Sequence, residues 1–156
     1  MKKIFLLLFF LPLFSAVAQE QEVLKKLDAK ADFYGDLARQ IWSNPELGYL
    51  ETKSSALLQK TLTDAGFKVT AGVAGIPTAF VAEYGSGKPV IGIMAEFDAL
   101  PGVSQEAVPF RKPVVEGGAG HACGHHLFGA ASVAAGISIM DWMKANKIKG
   151  TVRVYG

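Results

Sequence analysis

All three histidines of the 156-residue chain and its single cysteine fall within six residues, His121-Ala122-Cys123-Gly124-His125-His126. Thiolate sulfur and imidazole nitrogen are preferred zinc ligands, and carboxylates offer oxygen to the same ion. Gly120 and Gly124 let the backbone turn tightly enough to aim alternate side chains at one point. Any one of these histidines alone reads as buried, capping or solvated, but the cluster as a whole predicts metal ligation. A second candidate is Asp98, in Phe97-Asp98-Ala99-Leu100-Pro101-Gly102. Turn chemistry accounts for that stretch equally well taken alone. Its position directly after a hydrophobic run favours an active-site carboxylate. Glu96, two residues earlier, reads either as solvated or as a support behind the ligands.

Something must hold these groups together, and the hydrophobic pattern says what. Apolar residues recur at helical spacing from Glu20 to Ser43, and Asn44-Pro45 ends that helix. A second helix is predicted over Thr52 to Ala65, with Thr52 as its cap and Gly66 just past its end. Phe67 to Thr70, Thr78 to Tyr84 and Val90 to Ala95 read as strands, rich in β-branched and aromatic residues. Gly85-Ser86-Gly87-Lys88 reads as a hairpin turn between the last two. A Pro-, Gly- and Val-rich loop spans Phe97 to Gly120. A long helix from about Gly124 to Asn146 follows, dense in Ala and Gly so that it can lie close to a sheet. Thr151 to Tyr155 forms a last strand. Strand 90–95, the long helix and strand 151–155 make a right-handed βαβ unit. The fold class is therefore α/β, a mixed, partly parallel sheet with flanking helices. In such sheets ligands bind beyond the carboxyl ends of the strands, where Glu96, Asp98 and the start of the long helix converge.

Composition narrows the function classes. A charged fraction of 19% beside 50% hydrophobic residues excludes a disordered or fibrous chain. A net charge of +2 gives no basic stripe for nucleic acid. One cysteine excludes an intrachain disulfide. Lys2 and Lys3, the apolar run Ile4 to Phe14 and Ala16-Val17-Ala18 form the three parts of a secretory signal peptide over residues 1–18. The run is too short for a membrane span, which needs ~20 apolar residues. The expected mature chain, 19–156, is thus secreted or periplasmic. Without Lys2 and Lys3 its 16 basic residues become 14, matching the 14 acidic ones.

Three motifs resemble one family. Asn44-Pro45-Glu46-Leu47-Gly48 with Glu51, Ala95-Glu96-Phe97-Asp98-Ala99-Leu100-Pro101, and His121-Ala122-Cys123-Gly124-His125 occur in that order. Together they are similar to signatures of metal-dependent amidohydrolases, relatives of aminoacylases and glutamate carboxypeptidases. These include hippurate, indole-acetyl-amino-acid and aminobenzoyl-glutamate hydrolases. The continuation His126-Leu127-Phe128-Gly129 is closest to the aminobenzoyl-glutamate branch, which usually has Asn where His126 stands. Glu96 replaces the family's usual Asp. The resemblance implies Cys123 and His125 as metal ligands, Asp98 as a catalytic carboxylate supporting the metal, and two divalent ions, zinc or manganese. It implies cleavage of the amide of a small acyl-amino-acid or peptide substrate, and a full-length form able to dimerise. The family's proton-shuttling Glu-Glu pair directly follows the strand matching 151–155. The chain therefore reads as the first portion of a metal-binding domain, with little hydrolysis of its own. Two rivals stand beside this reading: a small exported metal-binding module without catalysis, and a thiol enzyme using Cys123 with a histidine base.

Overall fold

A computed structural model describes residues 20–156; the signal peptide expected over 1–18 lies outside the described residues. Among the described residues, those up to Asp32 form one unit and Phe33–Gly156 a second, compact one. The helix expected over 20–43 is two helices, α1 over 20–28 and α2 Ala31–Trp42. They part where the Lys30 N–H donates to the Leu27 carbonyl at 2.9 Å, a tighter three-residue turn that ends α1.

The second unit is a four-stranded sheet with helices α3 (Thr52–Ala65) and α4 (His125–Asn146) packed on it. Its strands are β1 (Lys68–Ala71), β2 (Phe80–Ser86), β3 (Val90–Met94) and β4 (Gly150–Tyr155), in the order β1-β2-β4-β3. β4 runs parallel to β3 and antiparallel to β2, so the sheet is mixed and the expected βαβ unit is present. The expected hairpin between β2 and β3 is not. β4 inserts between them, pairing Val152 with Tyr84 on one side and Ile91 on the other. The reason is burial. Val152 and Val154 are 1% and 0% exposed, whereas Val90 and Ile91 of β3 are 48% and 52% exposed. The strand with the drier side chains takes the interior position, where both backbone edges are bonded.

α4 lies close to this sheet because two of its residues lack a Cβ. A Cβ on Gly136 would sit 2.6 Å from Val154 Cγ2, and one on Gly129 would sit 2.8 Å from the Glu96 carbonyl oxygen. Leu58, Leu62, Phe80, Val133, Met140, Val152 and Val154 fill the core between these elements.

The amino end of α3 corrects another expectation. Thr52 is the first helical residue rather than its cap, and Glu51 before it makes no side-chain cap bond. The capping carboxylate is Glu46, from the preceding segment. It accepts hydrogen bonds from the Lys53 N–H (3.0 Å), the Ser54 N–H (2.8 Å), the Ser54 hydroxyl (2.9 Å) and the Thr52 hydroxyl (3.2 Å). These satisfy orphan amides of the first turn and set a negative charge at the positive end of the helix. Burial alone would raise the Glu46 carboxyl. The backbone donors of Lys53 and Ser54 and the two hydroxyls outweigh it and hold the group below its ordinary 4.5.

A carboxyl depressed on folding stabilises the native state above its unfolded value, and that stabilisation fades as pH falls through the folded value. Glu46→Ala should therefore cost about 1 kcal/mol at pH 7, the usual worth of a helix cap. The gap between variant and wild type in urea melts should close as pH drops below 4.5. A gap independent of pH would contradict the charged cap.

Candidate metal centre

Three backbone closures bring the chemistry-bearing residues to one edge of the sheet. The Ala95 N–H donates to the Tyr155 carbonyl at 2.8 Å, extending the β3–β4 pairing to the residue before Glu96. The Ala99 N–H donates to the Glu46 carbonyl at 2.7 Å. Leu100 and Gly120 exchange two backbone bonds, each 2.9 Å, closing the loop between them. Asp98 and the histidine cluster thereby start from adjacent backbone, and α4 begins at His125.

His125 sits between two carboxylates. Its Nδ1 is 2.7 Å from Asp98 Oδ1 and its Nε2 is 2.9 Å from Glu96 Oε2. One ligand atom from each of Glu96, Asp98 and His125 lies within 4.8 Å of the others. The ring has one N–H when neutral, so it can donate to only one carboxylate. With Nδ1–H given to Asp98, the Nε2 lone pair faces a carboxylate oxygen, a repulsive contact. A second proton relieves it, and so does a cation between nitrogen and oxygen. The Nε2 nitrogen and the Glu96 carboxylate suit a divalent ion, with Asp98 orienting the ring through Nδ1 as carboxylates orient metal-bound imidazoles. A cleft of about 470 Å³ adjoins Glu96 and Asp98, lined also by Tyr49, Glu51, Thr78 and Tyr155.

Of the residues singled out in the sequence, Asp98 and His125 meet directly. Cys123 is exposed and stands outside the group of three. Glu96, left open between two readings, is in the group. His121 is buried at 9% exposure, and its Nε2 donates to the Ile41 carbonyl at 3.2 Å. Burial, followed by the nearby His126 ring, lowers the affinity of His121 for a proton, and burial does the same for His126. The reading of residues missed Glu46 and buried Glu51 as structural anchors. Glu51 accepts the Thr78 hydroxyl at 2.8 Å, tying α3 to the segment before β2. Their signal was the Asn-Pro-Glu motif itself, which carries no local cue that its carboxylate caps a helix beginning six residues on.

No family model matches the chain. Its sequence is 43% identical over 141 residues to a subunit of the p-aminobenzoyl-glutamate hydrolase of Escherichia coli, covering 87% of this chain and 29% of that protein. It is 40% identical over 96 residues to thermostable carboxypeptidase 2 of Saccharolobus solfataricus, covering 60% and 24%. Among solved structures it matches a dinuclear metal binding peptidase of the M20 family from Bacillus subtilis. The TM-score is 0.68 with 27% identity, over 82% of this chain and 35% of that one. Its homologues are thus hydrolases and carboxypeptidases, and its solved neighbours include a dinuclear metal peptidase. The chain spans less than a third of the length of the curated relatives it matches first.

The exposed thiol makes a direct check of the loop. Cys123 should react with iodoacetamide in the native chain nearly as fast as in urea, by mass spectrometry. A native chain that excludes the reagent would contradict the exposed placement.

Proposed function

We propose that this chain supplies metal-binding residues to an exported amidohydrolase that cleaves the amide of an N-acyl amino acid or aminobenzoyl-glutamate-like substrate. The observation that carries the proposal is the convergence of Glu96, Asp98 and His125 within 4.8 Å at the end of β3 and the start of α4. The substrate class is supported by the likeness to the Escherichia coli p-aminobenzoyl-glutamate hydrolase. Two divalent ions, zinc or manganese, are proposed from the motifs and from the dinuclear relative, with Cys123 and His125 as protein ligands. Export to the periplasm or medium is proposed from Lys2, Lys3, the run Ile4 to Phe14 and Ala16-Val17-Ala18. Among the described residues no helix is long and apolar enough to cross a membrane.

In this proposal Asp98 accepts the Nδ1 proton of His125, fixes its tautomer and turns Nε2 toward Glu96. A bound divalent ion would supply Lewis-acid polarisation of the scissile carbonyl. The adjoining cleft receives the substrate, and its Glu51, Glu96 and Asp98 make it electronegative. A proton-shuttling acid is needed for the leaving amine. The family's Glu-Glu pair is proposed for that role.

Calorimetric titration of the chain with manganese or zinc tests this. Wild type should bind. Asp98→Asn, which leaves the ring in place but loses the charged orienting partner, should weaken binding by about 10- to 100-fold, with an unchanged far-UV spectrum. Equal affinity in Asp98→Asn, or no uptake by wild type, would overturn the assignment.

A further inference from the structure

His121 and His126 form a second pair whose chemistry the group at Glu96, Asp98 and His125 leaves unused. Their ring centroids are 5.1 Å apart and their planes are tilted by 51°. Both Nδ1 atoms are buried from solvent, and neither has a hydrogen-bond partner. An unpartnered buried polar atom costs free energy, so two side by side ask for an explanation.

The tautomer of His121 follows from its other contact. A carbonyl oxygen accepts and never donates, so the bond to Ile41 requires the proton on Nε2. In the neutral ring Nδ1 is then a bare lone pair, in a residue only 9% exposed. That contact also ties the loop to the last turn of α2, which holds the ring in place. His126 and His125 are successive residues of α4, so their side chains leave the helix about 100° apart. His126 can therefore serve a different ligand from the one His125 faces. Neither His121 nor His126 belongs to the group of three.

We propose that the Nδ1 atoms of His121 and His126 form a separate site for a nitrogen-preferring divalent transition-metal ion of the zinc class. Imidazole nitrogens hold zinc at ~2.0–2.1 Å, and rings with centroids 5.1 Å apart are close enough to share one ion. Two protein ligands leave positions for water, so the site is weaker than a closed structural one. It does not depend on the proposed hydrolase function, since none of the residues at the strand end takes part.

The test uses the chain labelled with nitrogen-15 in its histidine rings, in a Cys123→Ser, His125→Ala background that removes the ligands proposed above. Only His121 and His126 then report. Zinc should move both Nδ1 resonances away from the unliganded imine position, saturating at one ion per chain. His126→Asn in that background should weaken this uptake by at least about tenfold while leaving the His121 Nε2–H resonance intact as a sign of the fold. Zinc that binds without moving either Nδ1 resonance would overturn the site. So would uptake undiminished in His126→Asn. A bound water alone would show as Nδ1 resonances hydrogen-bonded before zinc is added and unchanged after it, which also overturns the site.

Discussion

The backbone exchange between Leu100 and Gly120 is the constraint on which the site depends. Asp98 and His125 are 27 residues apart, and the segment between them is almost wholly irregular. Closing such a loop costs several kcal/mol of chain entropy, a cost that grows only slowly with length. Two backbone bonds at its neck, with the Ala99 bond to Glu46 beside them, hold the ends together. A Cβ on Gly120 would lie 2.3 Å from the Val103 carbonyl oxygen, so the neck can be this narrow only with glycine there. The chain then enters α4 one turn later, and His125 arrives against both carboxylates.

The rigid side of the site comes from α4. Its small residues let the helix lie against β3 and β4, and the Gly129 contact falls on the carbonyl of Glu96 itself. Helix start and strand end are thus fixed by direct contact between main chains. Glu46 adds a third anchor: its carboxylate holds the first turn of α3 while its carbonyl holds the residue after Asp98. A polar site built on such supports keeps its geometry because each side chain in it is carried by a packed or hydrogen-bonded backbone.

Much of this was legible in the sequence. The shift from helical to alternating periodicity marked the strands, the crossover helix predicted the parallel β3–β4 pair, and the strand-end rule located Asp98 beside the histidines. The Ala- and Gly-rich face of α4 predicted its closeness to the sheet. What failed was non-local. Gly85 to Lys88 has hairpin composition, yet strand order is decided by which strand buries its side chains best, and β4 lies far along the chain, beyond α4. The capping of α3 by Glu46 was hidden for the same reason, since the donor and acceptor are separated by a turn. Glu96 stayed open because nothing local tells a solvated carboxylate from one facing an imidazole. For Cys123, two residues before His125, the sequence alone does not fix where the thiol points. The structure leaves its thiol exposed, apart from the group of three.

The central claim is that His125 Nε2 and Glu96 hold one divalent ion while Asp98 orients the ring through Nδ1. Anomalous diffraction from crystals soaked in manganese tests it most directly. The account predicts a manganese peak within bonding distance of His125 Nε2 and Glu96, with the Asp98–Nδ1 bond retained. A manganese-saturated crystal in which His125 still contacts both carboxylates and the ion lies elsewhere would contradict it.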